Sequence, residues 1–140
     1  MISSDAPRHQ LIHKLLTRRL EAVPEVTVVL WEKFSTQLIT IIGEGGFNSL
    51  FMRSVHLCGK QFPWLMPAPN SPQPVWRFAE LHSRLADQDI HVAVEASAAL
   101  LTIFIDILAR MIGEQLTDSI LQSAWDADVS DTAAKDLDNE

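Results

Sequence analysis

Cysteine is almost absent from this chain of 140 residues, since Cys58 is the only one. A single cysteine excludes an intrachain disulfide and a metal site built from several thiolates. Cys58 falls on the apolar side of a predicted helix, and His56, two residues before it, would point in another direction. We therefore predict that Cys58 is a small core residue and not a nucleophile.

An excess of basic residues is also lacking, because the formal net charge is −7. Most of this charge lies in residues 126–140, where six acidic residues stand against Lys135 alone, for a net −5. Residues 1–125 are therefore nearly neutral and offer no broad basic field for phosphate groups. We predict an acidic, disordered tail at 126–140 and no binding of nucleic acid.

The chain has no long apolar run that is free of charges. Its most apolar segment, residues 94–113, contains Glu95, Asp106 and Arg110, which is typical of a core helix and not of a membrane span. The N-terminal residues are polar and lack the apolar centre of a signal peptide. These features predict a cytoplasmic protein with no membrane segment.

Recognised catalytic motifs are absent too, including nucleotide-binding loops and nucleophile elbows. His9 and His13 have a spacing that can hold a metal ion, but no third ligand stands near them in the sequence. We interpret them as part of a solvated helix face, and His91 with Glu95 as a side-chain pair on a helix. The sequence therefore predicts no enzyme activity, no metal and no cofactor.

Apolar residues make up 47% of the chain and recur at helical spacings of three and four. This pattern predicts an all-α fold of about six helices, a compact bundle that forms a single domain over residues 1–125. Five prolines between residues 62 and 75 exclude a helix there and indicate a connector. The predicted helices are 8–23, 24–43, 47–61, 75–86, a very apolar fifth helix capped by Asp87 or Asp89, and 116–125.

The sequence also matches itself at an offset of 70 residues. Each half then contains a short, a long and a short helix, and we predict an internal repeat over about 8–60 and 78–125. The identical pairs are Leu30/Leu100, Phe34/Phe104, Leu38/Leu108, Ile42/Ile112, Gly43/Gly113, Glu44/Glu114 and Ser49/Ser119.

Three glycines fall within four residues, Gly43, Gly45 and Gly46, a density that phosphate-binding loops also show. The second half shares only the Ile-Gly-Glu step, at residues 112–114, so Gly45 and Gly46 remain as candidates for a close backbone approach. Glycine accepts the positive φ of a helix end, and glutamate favours the start of the next helix. We predict structural corners formed by Gly43, Glu44, Gly113 and Glu114.

A basic stripe is predicted on the third helix, because Arg53, His56 and Lys60 are three and four residues apart. The apolar sequence Phe-Pro-Trp-Leu-Met-Pro follows at residues 62–67. A cationic stripe beside aromatic residues is typical of a partner-binding surface, and the alternative is a solvated face with Trp64 folded onto the core. The candidate partner-binding residues are Arg53, His56, Lys60, Trp64 and Met66.

These observations predict a non-enzymatic interaction or regulatory module that binds a protein. One alternative is a small-molecule sensor with an apolar pocket between the predicted third and fifth helices, and another is an enzyme of unrecognised type. A large exposed apolar patch favours the first, a ligand-sized pocket the second, and a cluster of shifted ionisable groups the third. The many aromatic residues also predict a homodimer through the third helix and residues 62–67.

Overall fold

The computed structural model describes residues 5–66 and 78–125, which are almost entirely helical. The all-α fold class is confirmed, and no strand occurs in the described ranges. Those ranges contain five α-helices and not six, because the second and third predicted helices are joined by a kink at the single residue Gly43. The helices are α1 (Asp5–Thr17), α2 (Val23–Cys58), α3 (Phe78–Ala86), α4 (Ile90–Ile112) and α5 (114–125), with 3₁₀ turns at Leu20–Ala22 and Pro63–Leu65.

Local sequence explains several helix ends. Pro24 lies in the first turn of α2, where its missing amide hydrogen is not needed. Asp89 caps α4, because its carboxylate accepts a hydrogen bond of 2.9 Å from the His91 amide. The predicted connector at 62–75 begins with a 3₁₀ turn that buries Leu65. The rest of the connector from residue 67 and the predicted tail at 126–140 lie outside the described residues.

α2 bends at Gly43, whose φ of 80° and ψ of 163° are not helical. Gly113 has nearly the same conformation between α4 and α5, with φ of 94° and ψ of 153°. Residues with a β-carbon rarely adopt this region, because the β-carbon clashes with the backbone. α2 therefore consists of a first segment, residues 23–42, and a second segment, residues 44–58.

The first segment of α2 and α4 lie side by side and run in the same direction. The hydroxyl oxygens of Thr27 and Ser97 are 2.6 Å apart, and the ring centroids of Phe34 and Phe104 are 5.6 Å apart. In both pairs the partners are 70 residues apart in sequence. A step of seven residues toward the C-terminus of one helix is therefore matched by the same step toward the C-terminus of the other. Only a parallel pair gives this pattern.

Each long helix is covered by short helices from the opposite half of the chain. The second segment of α2 packs along α4, where the Cys58 thiol lies 3.9 Å from the Ala96 carbonyl. α5 packs along the first segment of α2, and the Trp125 indole N–H donates to the Leu30 carbonyl at 2.9 Å. α1 contacts α4, and α3 contacts α2. The two halves of the chain are therefore intertwined.

Trp31 stands at the centre of the core and is fully buried. Among the described aromatic side chains only Phe62 and Trp64 are partly exposed, and all others are buried. The homodimer prediction expected some aromatic area at the surface, and among the described residues Phe62 and Trp64 provide it. The rings whose centroids lie 5.0 to 6.4 Å from Trp31 are those of Phe34, Phe47, Phe51, Phe78 and Phe104.

α4 is the one helix in residues 5–66 and 78–125 that is long and apolar enough to cross a membrane. Its most apolar stretch is 56% buried inside the bundle. A helix that is apolar around most of its circumference and packed on several sides is typical of a protein core. This position agrees with the core helix predicted for residues 94–113.

Candidate functional site

An open groove lies between the second segment of α2 and the C-terminal end of α4. Its volume is about 550 Å³, and its surface is mainly apolar. The two helical segments run antiparallel, so the start of the second segment lies beside the end of α4. We call this feature the α2–α4 groove, and the residues that line it are Gly46, Ser49, Leu50, Arg53, Ile107, Arg110 and Met111.

Gly46 widens the α2–α4 groove because it places no side chain on the α2 wall. A β-carbon at this position would lie 3.4 Å from the nearest atom, in the Ile42 side chain, so the surrounding packing does not require glycine. Gly45 faces open space and is not among the residues that line the groove. One of the two glycines beyond the corner therefore shapes the groove, and the other does not.

One arginine stands on each wall of the groove. Arg53 on α2 and Arg110 on α4 are exposed, and neither forms an ion pair with any residue that the structure describes. Met111, next to Arg110, is 61% exposed. None of the described lining residues is acidic, although the chain carries a net charge of −7. An apolar trough between two cations is chemically suited to a ligand that is both apolar and anionic.

Arg53, His56 and Lys60 are all exposed, on and just beyond the end of α2. Of these three residues, Arg53 alone lines the groove. His56 and Lys60 lie further toward the C-terminal end of the helix. The structure therefore places Arg53 in one groove with Arg110 and Met111, which are distant from it in the sequence.

Trp64 and Met66 are partly buried and pack against the core. The ring centroids of Trp64 and Phe62 are 6.0 Å apart. The Trp64 backbone carbonyl accepts a hydrogen bond of 2.7 Å from the Arg84 guanidinium. The Met66 side chain occupies the space that a side chain on Gly59 would need. Neither residue lines the α2–α4 groove.

A buried arginine holds α1 against α4 and α5. Arg8 is 6% exposed, and its guanidinium lies 3.2 Å from Asp118, 3.5 Å from Asp106 and 3.9 Å from Glu114. Several carboxylates around one guanidinium offset the cost of removing the charge from water. Sequence reasoning missed this cluster, because the basic start of α1 predicts a solvated face.

The predicted corner residues lie at the kink of α2 and at the junction of α4 with α5. Glu44 and Glu114 are exposed and begin the helical segments that follow Gly43 and Gly113. Glu114 also borders a polar cavity of about 290 Å³ beside Arg8. Arg110 lines both this cavity and the α2–α4 groove, so the two features adjoin.

Two described titratable groups, Cys58 and Glu25, have shifted pKa values. Burial raises the pKa of the Cys58 thiol to about 11, so the side chain is a neutral thiol at pH 7. A backbone hydrogen bond, and then His82 at 3.3 Å, lower the pKa of the exposed Glu25 carboxyl. No group of three His, Cys, Asp or Glu side chains in residues 5–66 and 78–125 could hold a metal ion.

Comparisons with models of protein families, with curated proteins and with solved structures find no match.

Proposed function

We propose that this chain is a non-enzymatic interaction or regulatory module that binds a protein partner in the α2–α4 groove. The observation that carries the proposal is an open apolar groove of about 550 Å³ with an arginine on each wall. Exposed apolar surface of this kind is unfavourable in water unless a partner covers it. The proposal involves neither nucleic acid nor a membrane.

The second candidate is a small-molecule sensor. The groove lies between the helices predicted as third and fifth, and its volume falls within the range of roughly 300 to 1,000 Å³ that ligand pockets occupy. A small molecule needs most of its surface buried for tight binding. The α2–α4 groove is open to solvent, which favours a protein partner over a small molecule.

An enzyme is the weakest candidate. The two described groups with a shifted pKa, Cys58 and Glu25, do not line the groove. The buried Cys58 thiol is too weakly acidic to act as a thiolate at neutral pH. We therefore propose no reaction.

Replacing Gly46 with leucine should fill the groove and weaken partner binding at least tenfold. The leucine side chain would occupy the α2 wall, while its β-carbon would meet only Ile42 in ordinary contact. Leucine is also the better helix former, by about 0.8 kcal/mol, so the fold should be no less stable. The measurement is a titration of the purified partner, captured from native cells, against the wild type and Gly46→Leu.

Gly45→Leu is the matched control, because it adds the same side chain one residue away and outside the groove. We expect this control to bind the partner as the wild type does. Equal binding by wild type, Gly46→Leu and Gly45→Leu would show that the partner docks elsewhere and would refute the proposed site. Thermal melts of all three proteins separate loss of binding from loss of folding.

We also propose that the chain is one domain over residues 1–125 with six helical units in two related halves, if the two segments of α2 are counted separately. The kinks at Gly43 and Gly113 have matching φ and ψ angles. Leu20 and Ile90, 70 residues apart, line one cavity and are 43% and 46% exposed. An approximate two-fold axis between the long helices accounts for both observations.

The burial pattern supports the same proposal. The buried residues of α2 from Val23 to Val55 have buried counterparts 70 residues later, except Ser54, whose counterpart Ala124 is partly buried. Superposition of residues 8–60 on residues 78–125 should place Gly43 and Gly113 at equivalent positions. Different positions for Gly43 and Gly113 after superposition would show that the match at 70 residues is accidental.

We propose a homodimer as well, through the exposed end of α2 and residues 62–67. Because Trp64 packs on the core, the exposed pair His56 and Lys60 gives the cleaner test of this surface. Sedimentation at micromolar concentration should show a dimer for the wild type and a monomer for the double variant His56→Glu, Lys60→Glu. A monomeric wild type would refute the dimer, and a dimeric double variant would refute the chosen surface.

A cytoplasmic location is proposed on the polar N-terminus and on the charged residues of α4. Fractionation of native cells should recover the chain in the fraction free of membranes. Recovery with membranes after washing in high salt would contradict this location.

A further inference from the structure

We infer that the partner of the α2–α4 groove presents an acidic amphipathic helix, an inference that rests on the proposed binding function of the groove. The lining is a mixture of small and apolar side chains between two arginines. Each of these properties limits what the groove can hold, and together they specify the chemistry of the occupant.

The occupant should be helical because the walls of the groove are helices. Both walls are helices, whose central amides and carbonyls are bonded inside each helix, so the walls offer side chains and no free strand edge. An extended peptide would bring unpaired backbone groups onto an apolar surface, which is costly. A helix satisfies its own backbone and presents only its apolar face, as helix-in-groove complexes do.

The size of the groove fits a short helical segment. From Gly46 to Arg53 the α2 wall is about 10 Å long at 1.5 Å per residue. Gly46 and Ser49 leave room on that wall for apolar side chains of the partner, and Ile107 and Met111 provide apolar contact on the other. Two turns of a partner helix, with apolar residues at i, i+3, i+4 and i+7, would cover this length.

The partner helix should be acidic because each wall carries an arginine. Arg53 and Arg110 are exposed and form no ion pair with the described residues, so both are available to carboxylates on the flanks of an incoming helix. A cationic flank would meet the same two arginines and be repelled. Charge therefore selects among amphipathic helices that the apolar trough alone would accept.

The chain's own acidic tail fits the groove less well. Residues 126–140 contain only two large apolar residues, Val129 and Leu137. An apolar face that covers two helical turns needs three or four. The tail matches the charge of the groove and not its apolar surface, which favours a separate partner.

The test uses three synthetic peptides of about 15 residues titrated into the isotope-labelled full chain and followed by NMR shifts. The first has a leucine face flanked by glutamates, the second has lysine in place of each glutamate, and the third is the first with a central proline. We expect the glutamate peptide to bind roughly tenfold or more tightly than the other two, with shifts centred on the groove. Gly46→Leu should abolish binding, and Arg53→Glu with Arg110→Glu should reverse the preference toward the lysine peptide.

Other outcomes overturn the inference in separable ways. Equal binding of the glutamate and lysine peptides would refute the acidic partner, and equal binding of the proline peptide would refute the helix. Binding only after deletion of residues 129–140 would identify the tail as the resident occupant, and a dimer lost in Gly46→Leu would identify a second copy. If no peptide binds while Gly46→Leu still loses the captured partner, the acidic helix is wrong and the proposed function stands.

Discussion

Residues 1–66 and residues 78–140, produced as separate chains, should each fail to fold and should regain helical structure when mixed. α1 packs on α4, α3 packs on α2, and α5 covers the first segment of α2 through the bond from Trp125 to Leu30. Each half alone would expose the apolar faces that the other half buries, and short isolated helices are only marginally stable. Circular dichroism should show weak helicity and no cooperative melt for either half, and both features should return in an equimolar mixture.

The control for this separation is the intact protein cut after folding. A protease site inserted within residues 67–77 leaves every contact between the described helices in place, so the cut protein should melt cooperatively near the uncut one. A half that melts cooperatively on its own would contradict the intertwined packing. It would indicate two independent domains, each with its own core.

Helical periodicity predicted the fold class and the approximate position of each helix, because the buried face of a helix repeats every three or four residues. It placed the apolar residues of the fifth predicted helix in the core, where α4 lies. It also identified Asp89 as one of two possible caps, and the structure selects Asp89. These features depend on residues close together in the sequence.

The short link at Gly43, with helix on both sides and no loop between, could not be predicted in the same way. A glycine beside two further glycines indicates a break, and the sequence does not specify whether the chain bends or unwinds there. The sequence also could not predict that the short helices of each half pack on the long helix of the other half. Periodicity shows which face of a helix is buried, and it does not show which helix covers that face.

The groove illustrates the same limit. Sequence reasoning selected Arg53, and it noted Gly46 as a possible site of close approach, because both stand out locally. It grouped Arg53 with neighbours in the chain, Trp64 and Met66, whereas the fold places Arg110 of α4 on the opposite wall. A site built from two helices far apart in the sequence becomes visible only when their packing is known.

Replacing Trp31 or Trp125 with alanine should be the most damaging single changes, each costing about 3–5 kcal/mol. Both side chains are fully buried, and the loss is a large part of the roughly 5–15 kcal/mol that stabilises a typical domain. Substitution of each tryptophan by phenylalanine should distinguish the contributions of the two indole N–H groups to stability. The Trp125 N–H donates to Leu30 at 2.9 Å, whereas the Trp31 N–H has no acceptor among the described residues.

Trp125→Phe should therefore lose more stability than Trp31→Phe, by about 1–2 kcal/mol. Both changes leave a cavity, but the first breaks a buried hydrogen bond, while the second removes a buried donor that already lacked a partner. Urea unfolding followed by circular dichroism gives the two free energies of unfolding, with the partly buried Trp64→Phe as a control that should change little. Equal losses at Trp31 and Trp125 would show that the Trp31 indole is satisfied after all, by water or by residues 67–77.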